Sequence, residues 1–325
     1  MVVRRGSPRV ATVVGPRVAM DGAPRVATDG GPRVATDGGP TDGLPRVVTQ
    51  DVPRATVNGT LRVATWNINS LRLRLPLLPE LIAALDPDVI CLQETKVPDE
   101  LFPREAQAQL GYPYAAWRGM KGYNGVAIFS RRPIEVLDLA PDWCAKGDCR
   151  HLAVSVEARG GAIELHDFYV PAGGDIPDRA QNPKFGHKLD FIAETRAWFA
   201  ARAGLARTVV VGDLNIAPLE HDVWSHKQLL DVVSHTPPET AGLLAWQDSG
   251  FVDAVRHFVP ATEKLFTWWS YRNRDWRESD RGRRLDHVWV TPDLQGALRR
   301  HIVLKEARDW ERTSDHVPVC VELAL

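Results

Sequence analysis

The chain has 325 residues, 44% hydrophobic and 25% charged, proportions that exclude a fibrous or wholly disordered protein. Forty Lys and Arg against 41 Asp and Glu leave a net charge of −1, so no global basic field draws it to nucleic acid. No run approaches the roughly 18–20 apolar residues of a membrane helix, and four cysteines without a C-x-x-C pair read as reduced thiols of a cytoplasmic protein.

Residues 1–60 stand apart. Pro8, Pro16, Pro24, Pro32 and Pro40 recur at a period of eight in a unit reading PRVATDGG. The stretch has no large aromatic residue and no regular apolar stripe, so it cannot bury enough surface to offset the entropy of ordering. It is expected to be a disordered extension. Arg, Asp and Gly interrupt every candidate apolar core of a signal peptide. Eight Arg and five Asp give it +3, leaving 32 Lys and Arg against 36 Asp and Glu in residues 61–325. A basic arm touching DNA is the functional alternative.

Alternating strands and helices begin at Leu61. LRVATWN (61–67), DVICLQ (88–93) and NGVAIFS (124–130) read as strands. HLAVSVE (151–157) and AIELHDFYV (162–170) form a hairpin across Gly160-Gly161. Residues 182–204 read as an amphipathic helix, its apolar stripe marked by Phe185, Leu189, Ile192 and Phe199 and its end by Gly204. TVVVGDLN (208–215) is a buried strand, and RLDHVWV (284–290) and VPVCVELAL (317–325) complete the set. Residues 61–325 contain no second linker and fit one domain.

Polar residues recur where apolar strands stop: Asn67, Asn69, Glu94, Tyr169, Asp213, Asn215, Asp286, Asp315 and His316. Backbone pairing fixes the first atom of each such side chain, which makes strand ends good platforms for chemistry. Carboxylates with Asn amides are hard oxygen ligands for Mg²⁺ or Mn²⁺, and the thiolates and paired histidines of a zinc site are missing. A His beside a carboxylate is held in one tautomer and can donate to a phosphoryl oxygen. Asp can deprotonate or orient water, and Asn and Tyr can donate to an oxygen gaining charge. Together these suit metal-assisted hydrolysis of a phosphate ester. Each residue alone has a bland alternative, as a turn cap or an ion-pair partner.

Between residues 266 and 286, Arg272, Arg274, Arg277, Arg281, Arg283 and Arg284 interleave with Trp268, Trp269, Tyr271 and Trp276. Guanidinium forks bind phosphates and indoles stack on bases or sugars. The alternative is a buried aromatic cluster rimmed by solvated charge. Arg72, Lys96, Lys121 and Arg150 are further candidates for backbone contact.

The segments WNINSLR, PDVICLQETK, KGYNGVAIFS, FYVPAG, GDLNIAP, FTWWSYR, RGRRLDHVWV and SDHVPV, in this order across 61–325, resemble the exonuclease III family of apurinic/apyrimidinic (AP) endonucleases, within the endonuclease/exonuclease/phosphatase superfamily. The resemblance implies an α/β (α+β) fold: a four-layer α/β/β/α sandwich of two packed mixed sheets, deoxyribonuclease I-like. It implies Glu94 as the principal Mg²⁺ ligand, with Asn67 and Asp315 beside it and Mn²⁺ as a substitute. Asp213 would activate water or protonate the leaving oxygen, Asn215 hold the phosphate, His316 donate to a phosphoryl oxygen with Asp286 orienting it, and Tyr169 sit near the leaving group. Asn69, Arg72, Lys96, Lys121, Asn124, Arg150, Trp268, Tyr271, Trp276 and Arg283 become candidates for touching DNA. The implied protein is a monomeric, non-membrane nuclease acting on duplex DNA with abasic sites or blocked 3′ ends. A superfamily hydrolase of another phosphate ester, or a silent nucleic-acid-binding module, are the rival readings.

Overall fold

The computed structural model describes residues 59–325, Ala140 and Arg274 apart, and the backbone of Arg46–Thr49. In chain order the strands are β1 (Arg46–Thr49), β2 (Thr60–Asn67), β3 (Val89–Gln93), β4 (Tyr114–Arg118), β5 (Val126–Ser130), β6 (Ile134–Val136) and β7 (His151–Val156). They continue as β8 (Ile163–Tyr169), β9 (Thr208–Asp213), β10 (Val252–Asp253), β11 (Asp286–Val290), β12 (Leu298–Val303) and β13 (Val319–Ala324). One sheet runs β1-β4-β5-β3-β2-β13-β12 and the other β10-β11-β9-β8-β7-β6. Both are mixed: β2 with β3 and β8 with β9 are parallel, and the remaining pairs are antiparallel.

Strand alternation produces the layers. Val63, Cys91 and Ile128 of the first sheet face Leu165, Val209, Val211 and Val288 of the second in one core. Their neighbours point the other way. Trp66, Ile90, Leu92 and Phe129 pack with Leu78, Leu81 and Leu85 of the helix Leu78–Leu85. Phe168, Val210 and Trp289 pack with Phe191, Ile192 and Phe199 of the helix Pro183–Ala200 and with Leu243 and Trp246 of the helix Pro237–Gln247. Central strands buried on both faces therefore read as continuous apolar runs rather than alternating ones. Each fully buried Val, Leu or Phe contributes about 1.5–3 kcal/mol. The four-layer α/β/β/α sandwich of two mixed sheets is thus the observed fold.

Boundaries shift by a few residues. The expected 124–130 strand starts at Val126, because Asn124 (φ 54°) and Gly125 (φ 92°) are left-handed, and the last strand spans Val319–Ala324. The expected helix 182–204 is Pro183–Ala200, capped by the Asn182 side chain accepting from the Lys184 amide; it ends four residues before Gly204. Phe185, Ile192 and Phe199 are buried as expected. Leu189 is only half-buried, since Phe191 and the aliphatic stem of Lys188 take the inner face.

The extension expected over 1–60 lies outside the described residues except at Arg46–Thr49 and Gly59–Thr60. There the expectation needs correction: Arg46–Thr49 pairs with β4, Arg46 opposite Trp117 and Thr49 opposite Tyr114. An edge strand offers unpaired amides and carbonyls to any extended segment, whatever its composition. The four cysteines carry no disulfide. Among the described residues no helix is long and apolar enough to cross a membrane.

Candidate active site

Strand register gathers the strand-end residues. In the second sheet Tyr169 lies opposite Asp213 and Asp213 opposite Asp286, so three functional groups share one row. In the first sheet Asn67 and Gln93 end together, placing Glu94 next to Asn67. Gly212, just before Asp213, has φ 136°, and a Cβ there would lie 1.9 Å from the Phe168 carbonyl oxygen. Only glycine lets β9 approach β8 this closely.

Hydrogen bonds then lock the set. Asn67 is fully buried; its Nδ2 donates to Glu94 Oε1 (2.9 Å) and Asp213 Oδ2 (2.8 Å), joining the two sheets. Tyr169 donates its hydroxyl to the same Glu94 oxygen at 2.9 Å. Lys96 Nζ sits 2.8 Å from Glu94 Oε2 and 2.5 Å from Asn69 Oδ1. Burial pushes the Glu94 carboxyl up, but the Lys96 ammonium and the Asn67 and Lys96 hydrogen bonds outweigh it and hold it below the usual range. Asn69 Nδ2 donates to Asp315 Oδ1 (3.1 Å), and Trp268 Nε1 donates to Asp315 Oδ2 (2.9 Å).

Around the other oxygen-rich corner, His316 Nδ1 bonds Asp286 Oδ2 at 2.9 Å, and His316 Nε2 is 3.7 Å from Asp213 Oδ2, an ion-pair distance rather than a hydrogen bond. Burial pulls the imidazole down, but Asp286 and then Asp213 overcome it and raise it to about 10. Burial raises the Asp213 carboxyl to about 7, against the pull of His316 and with the push of Asp286. Asp213 also accepts from the Asn215 amide N–H (2.9 Å) and from Asn215 Nδ2 (3.0 Å). Asp213, Asp286 and His316 lie close enough together to hold a metal ion. With its imidazole raised between two carboxylates, His316 also makes this trio a set whose protons are shared and titrate together.

Two contributors escaped the sequence reading. Thr267 donates its hydroxyl to Asp286 Oδ2 at 2.6 Å and accepts from the Leu285 and Asp286 amides. Lys188, fully buried, donates to the Asn215 carbonyl at 2.8 Å. The Thr267 hydroxyl lay unread inside FTWW. Lys188 gave a signal in its place on the apolar face of its helix.

The candidates for DNA contact divide. Lys96, Asn69 and Trp268 join the hydrogen-bonded set. Arg150 stacks over the Tyr169 ring at 4.9 Å and pairs with Asp148. Asn124 is buried, its amide donating to the Asp148 carbonyl at 2.8 Å, so it shapes the loop. Arg72 and Lys121 are exposed. Tyr271 is exposed, its hydroxyl on the Thr313 carbonyl (2.8 Å), and half-buried Trp276 donates to Asp309 (3.0 Å). Trp269 and Arg284 are core, the latter paired with Asp222 and Asp253; Arg274 lies outside the described residues. Arg283 lies 5.3 Å from the Trp268 ring centroid, and both help line a cavity of about 400 Å³ with Trp224, Arg272 and Arg281.

A sequence profile of the endonuclease/exonuclease/phosphatase family matches residues 64–316. Exodeoxyribonuclease III of Haemophilus influenzae is 30% identical over 81% of this chain and 99% of its own. The structure of the 3′ phosphatase NExo from Neisseria, bound to product DNA hairpin, superposes with a TM-score of 0.74 at 30% identity, covering 82% of this chain and all of that one. An AP endonuclease from Archaeoglobus fulgidus does so with a TM-score of 0.73 at 29% identity and the same coverage.

Proposed function

The chain belongs to the endonuclease/exonuclease/phosphatase family, and from that premise we propose that it is a Mg²⁺-dependent DNA repair nuclease. It hydrolyses the phosphodiester 5′ to an abasic site, trims 3′ ends as an exonuclease and removes 3′-blocking phosphates. The observation that carries this reading is the continuous hydrogen-bonded set from Tyr169 and Glu94 through Asn67 to Asp213, with the Asp286–His316 pair closing on Asp213.

The donor set fits a hard divalent cation. Glu94 is held ionised, and Asn67 and Asp315, the latter linked to it through Asn69 and Lys96, would offer further oxygens to the ion. The Lys96 ammonium at Glu94 Oε2 marks a position where positive charge is already favoured. When bound there, Mg²⁺ supplies Lewis-acid polarisation of the phosphate and neutralises charge on the leaving oxygen. The protein's own groups divide the rest. Asp213, with its carboxyl near 7, takes the proton of the attacking water at neutral pH. The Asn67 and Asn215 amides fix the Asp213 carboxylate. His316, kept cationic by Asp286, offers its Nε2 proton to a phosphoryl oxygen as charge builds. Trp268 and Arg283, beside this centre, give the nucleotide an aromatic face and a cation.

The test is a duplex carrying one abasic analogue, an intact duplex and a 3′-phosphate duplex, each with Mg²⁺ or with chelator. Metal-dependent nicking 5′ to the lesion with a 3′-hydroxyl product, and release of phosphate from the blocked end, are expected. Equal cleavage of intact and abasic duplex, or activity that survives chelation, contradicts the proposal.

A further inference from the structure

Lys188 sits on the inner stripe of the helix Pro183–Ala200, among Phe185, Phe191, Ile192 and Phe199, and is wholly buried. A buried ammonium is tolerated only when every proton is bonded and a counter-charge is at hand. Both conditions hold. Its three protons meet the Asn215 carbonyl (2.8 Å), the Ala172 carbonyl (3.2 Å) and Glu239 Oε1 (2.5 Å), the last also wholly buried. The two carbonyls belong to the loop that follows β9, which carries Asn215, and the loop that follows β8, which begins just after Tyr169. One ammonium thus ties both loops together from behind.

The tie acts where the backbone needs it. Asn215 has φ 54°, a left-handed conformation costly for a residue with a Cβ, and its Nδ2 is aimed at Asp213 and the Val170 carbonyl. On the far side, Glu239 accepts from the Ser234 and Thr236 amides and the Thr236 hydroxyl. The Ser234 hydroxyl in turn accepts from Arg283, the cation beside Trp268. Resting on the phosphodiesterase reading above, we propose that Lys188 is a positioning residue that holds the Asn215 amide against the Asp213 carboxylate, with Glu239 as its counter-charge and link to Arg283.

The experiment measures single-turnover cleavage, binding in chelator and melting temperature for Lys188→Met paired with Glu239→Gln, which removes both charges at near-constant volume. Cleavage should fall by about two orders of magnitude, with affinity for abasic duplex within about threefold and a melting shift of only a few degrees. The same pair of changes in an Asn215→Ala background should cost less than about threefold more, because Lys188 acts through Asn215. Glu239→Gln alone should slow cleavage by less than tenfold, since a neutral Lys188 amine still has two protons for the two carbonyls. Full-rate cleavage in the paired variant, an equal loss with and without Asn215, or a larger loss for Glu239→Gln than for the pair each overturns the proposal. So does a paired variant that fails to fold while Glu239→Gln folds, because that assigns Lys188 to core stability. The parent enzyme on the same duplex separates the two readings: failure there sinks the nuclease assignment, whereas an active parent with an unaffected variant sinks only the role of Lys188.

Discussion

Adjacent tryptophans with opposite fates give a sharp test of how the structure divides stability from recognition. Trp269 is fully buried, packed against Phe266 and Trp276, and its Nε1 donates to Asp280 at 3.1 Å. Trp269→Ala removes this contact surface and leaves a void, a change that costs about 3–5 kcal/mol. At about 2 °C per kcal/mol for a domain of this size, the melting temperature should drop by about 6–10 °C. Trp268 is half-buried, lines the cavity it shares with Arg283, bridges His316 through its backbone and donates to Asp315. Trp268→Ala should lower the melting temperature by only about 2–4 °C, yet narrow the preference for abasic over intact duplex, because an aromatic face that stays beside the unstacked nucleotide is lost. The assay is a thermal melt of both variants and the parent, followed by single-turnover cleavage of matched abasic and intact duplexes. If Trp268→Ala is the less stable of the two, or if Trp269→Ala alters selectivity while folded, the division of roles is wrong.

Four further outcomes follow from the same geometry. Glu94→Gln should fold but lose cleavage by orders of magnitude and regain part of it at high Mg²⁺, and normal activity at low Mg²⁺ would remove Glu94 as principal ligand. Asp213→Asn and His316→Asn should bind abasic duplex nearly as tightly as the parent and cleave it far more slowly; a loss confined to affinity refutes their assignment. The Asp213 carboxylate is the active base and its carboxyl is raised to about 7, so cleavage should rise with pH up to about 7 and level above it. Asp286→Asn, which removes a like charge, should move that limb to lower pH, and a rate that does not change between about pH 6 and 8 contradicts the role. Truncation to 61–325 should leave cleavage of abasic DNA close to the parent rate in low salt, with a small melting loss because Arg46–Thr49 leaves the edge of β4; abolished cleavage would assign the extension a role in the site.

The site was legible in the sequence where its logic is local. WNIN, LQET, GDLN and SDH each end an apolar run on a polar residue, and a strand's end fixes where that residue points. Pairing then brings Tyr169, Asp213 and Asp286 into one row, as their positions at strand ends imply. What escaped depends on partners remote in the chain. Lys188 stands out on the apolar stripe of its helix, but what it holds shows only once Glu239 and the Asn215 carbonyl are placed around it. Trp268 and Trp269 are indistinguishable by composition, and only the path of the loop sends one into the core. The strand LRRHIV (β12) was missed because it lies at a sheet edge and exposes Arg299 and Arg300, so it lacks the apolar run of a central strand. Arg46–Thr49 was missed because edge pairing is a backbone event that side-chain pattern barely records.

In the proposed mechanism one proton-sharing triad, served by a divalent cation at Glu94, cuts DNA at abasic sites. Its most direct measurement is the single-turnover nicking of an abasic duplex in Mg²⁺ by the parent and by Asp213→Asn, with the product ends tested by ligation after gap filling. Expected are a ligatable 3′-hydroxyl immediately 5′ of the lesion from the parent, nothing in chelator, and a rate at least about 10²-fold lower from Asp213→Asn at matched binding. Nicking on the 3′ side of the lesion, or an Asp213→Asn variant that cuts at the parent rate, would contradict it.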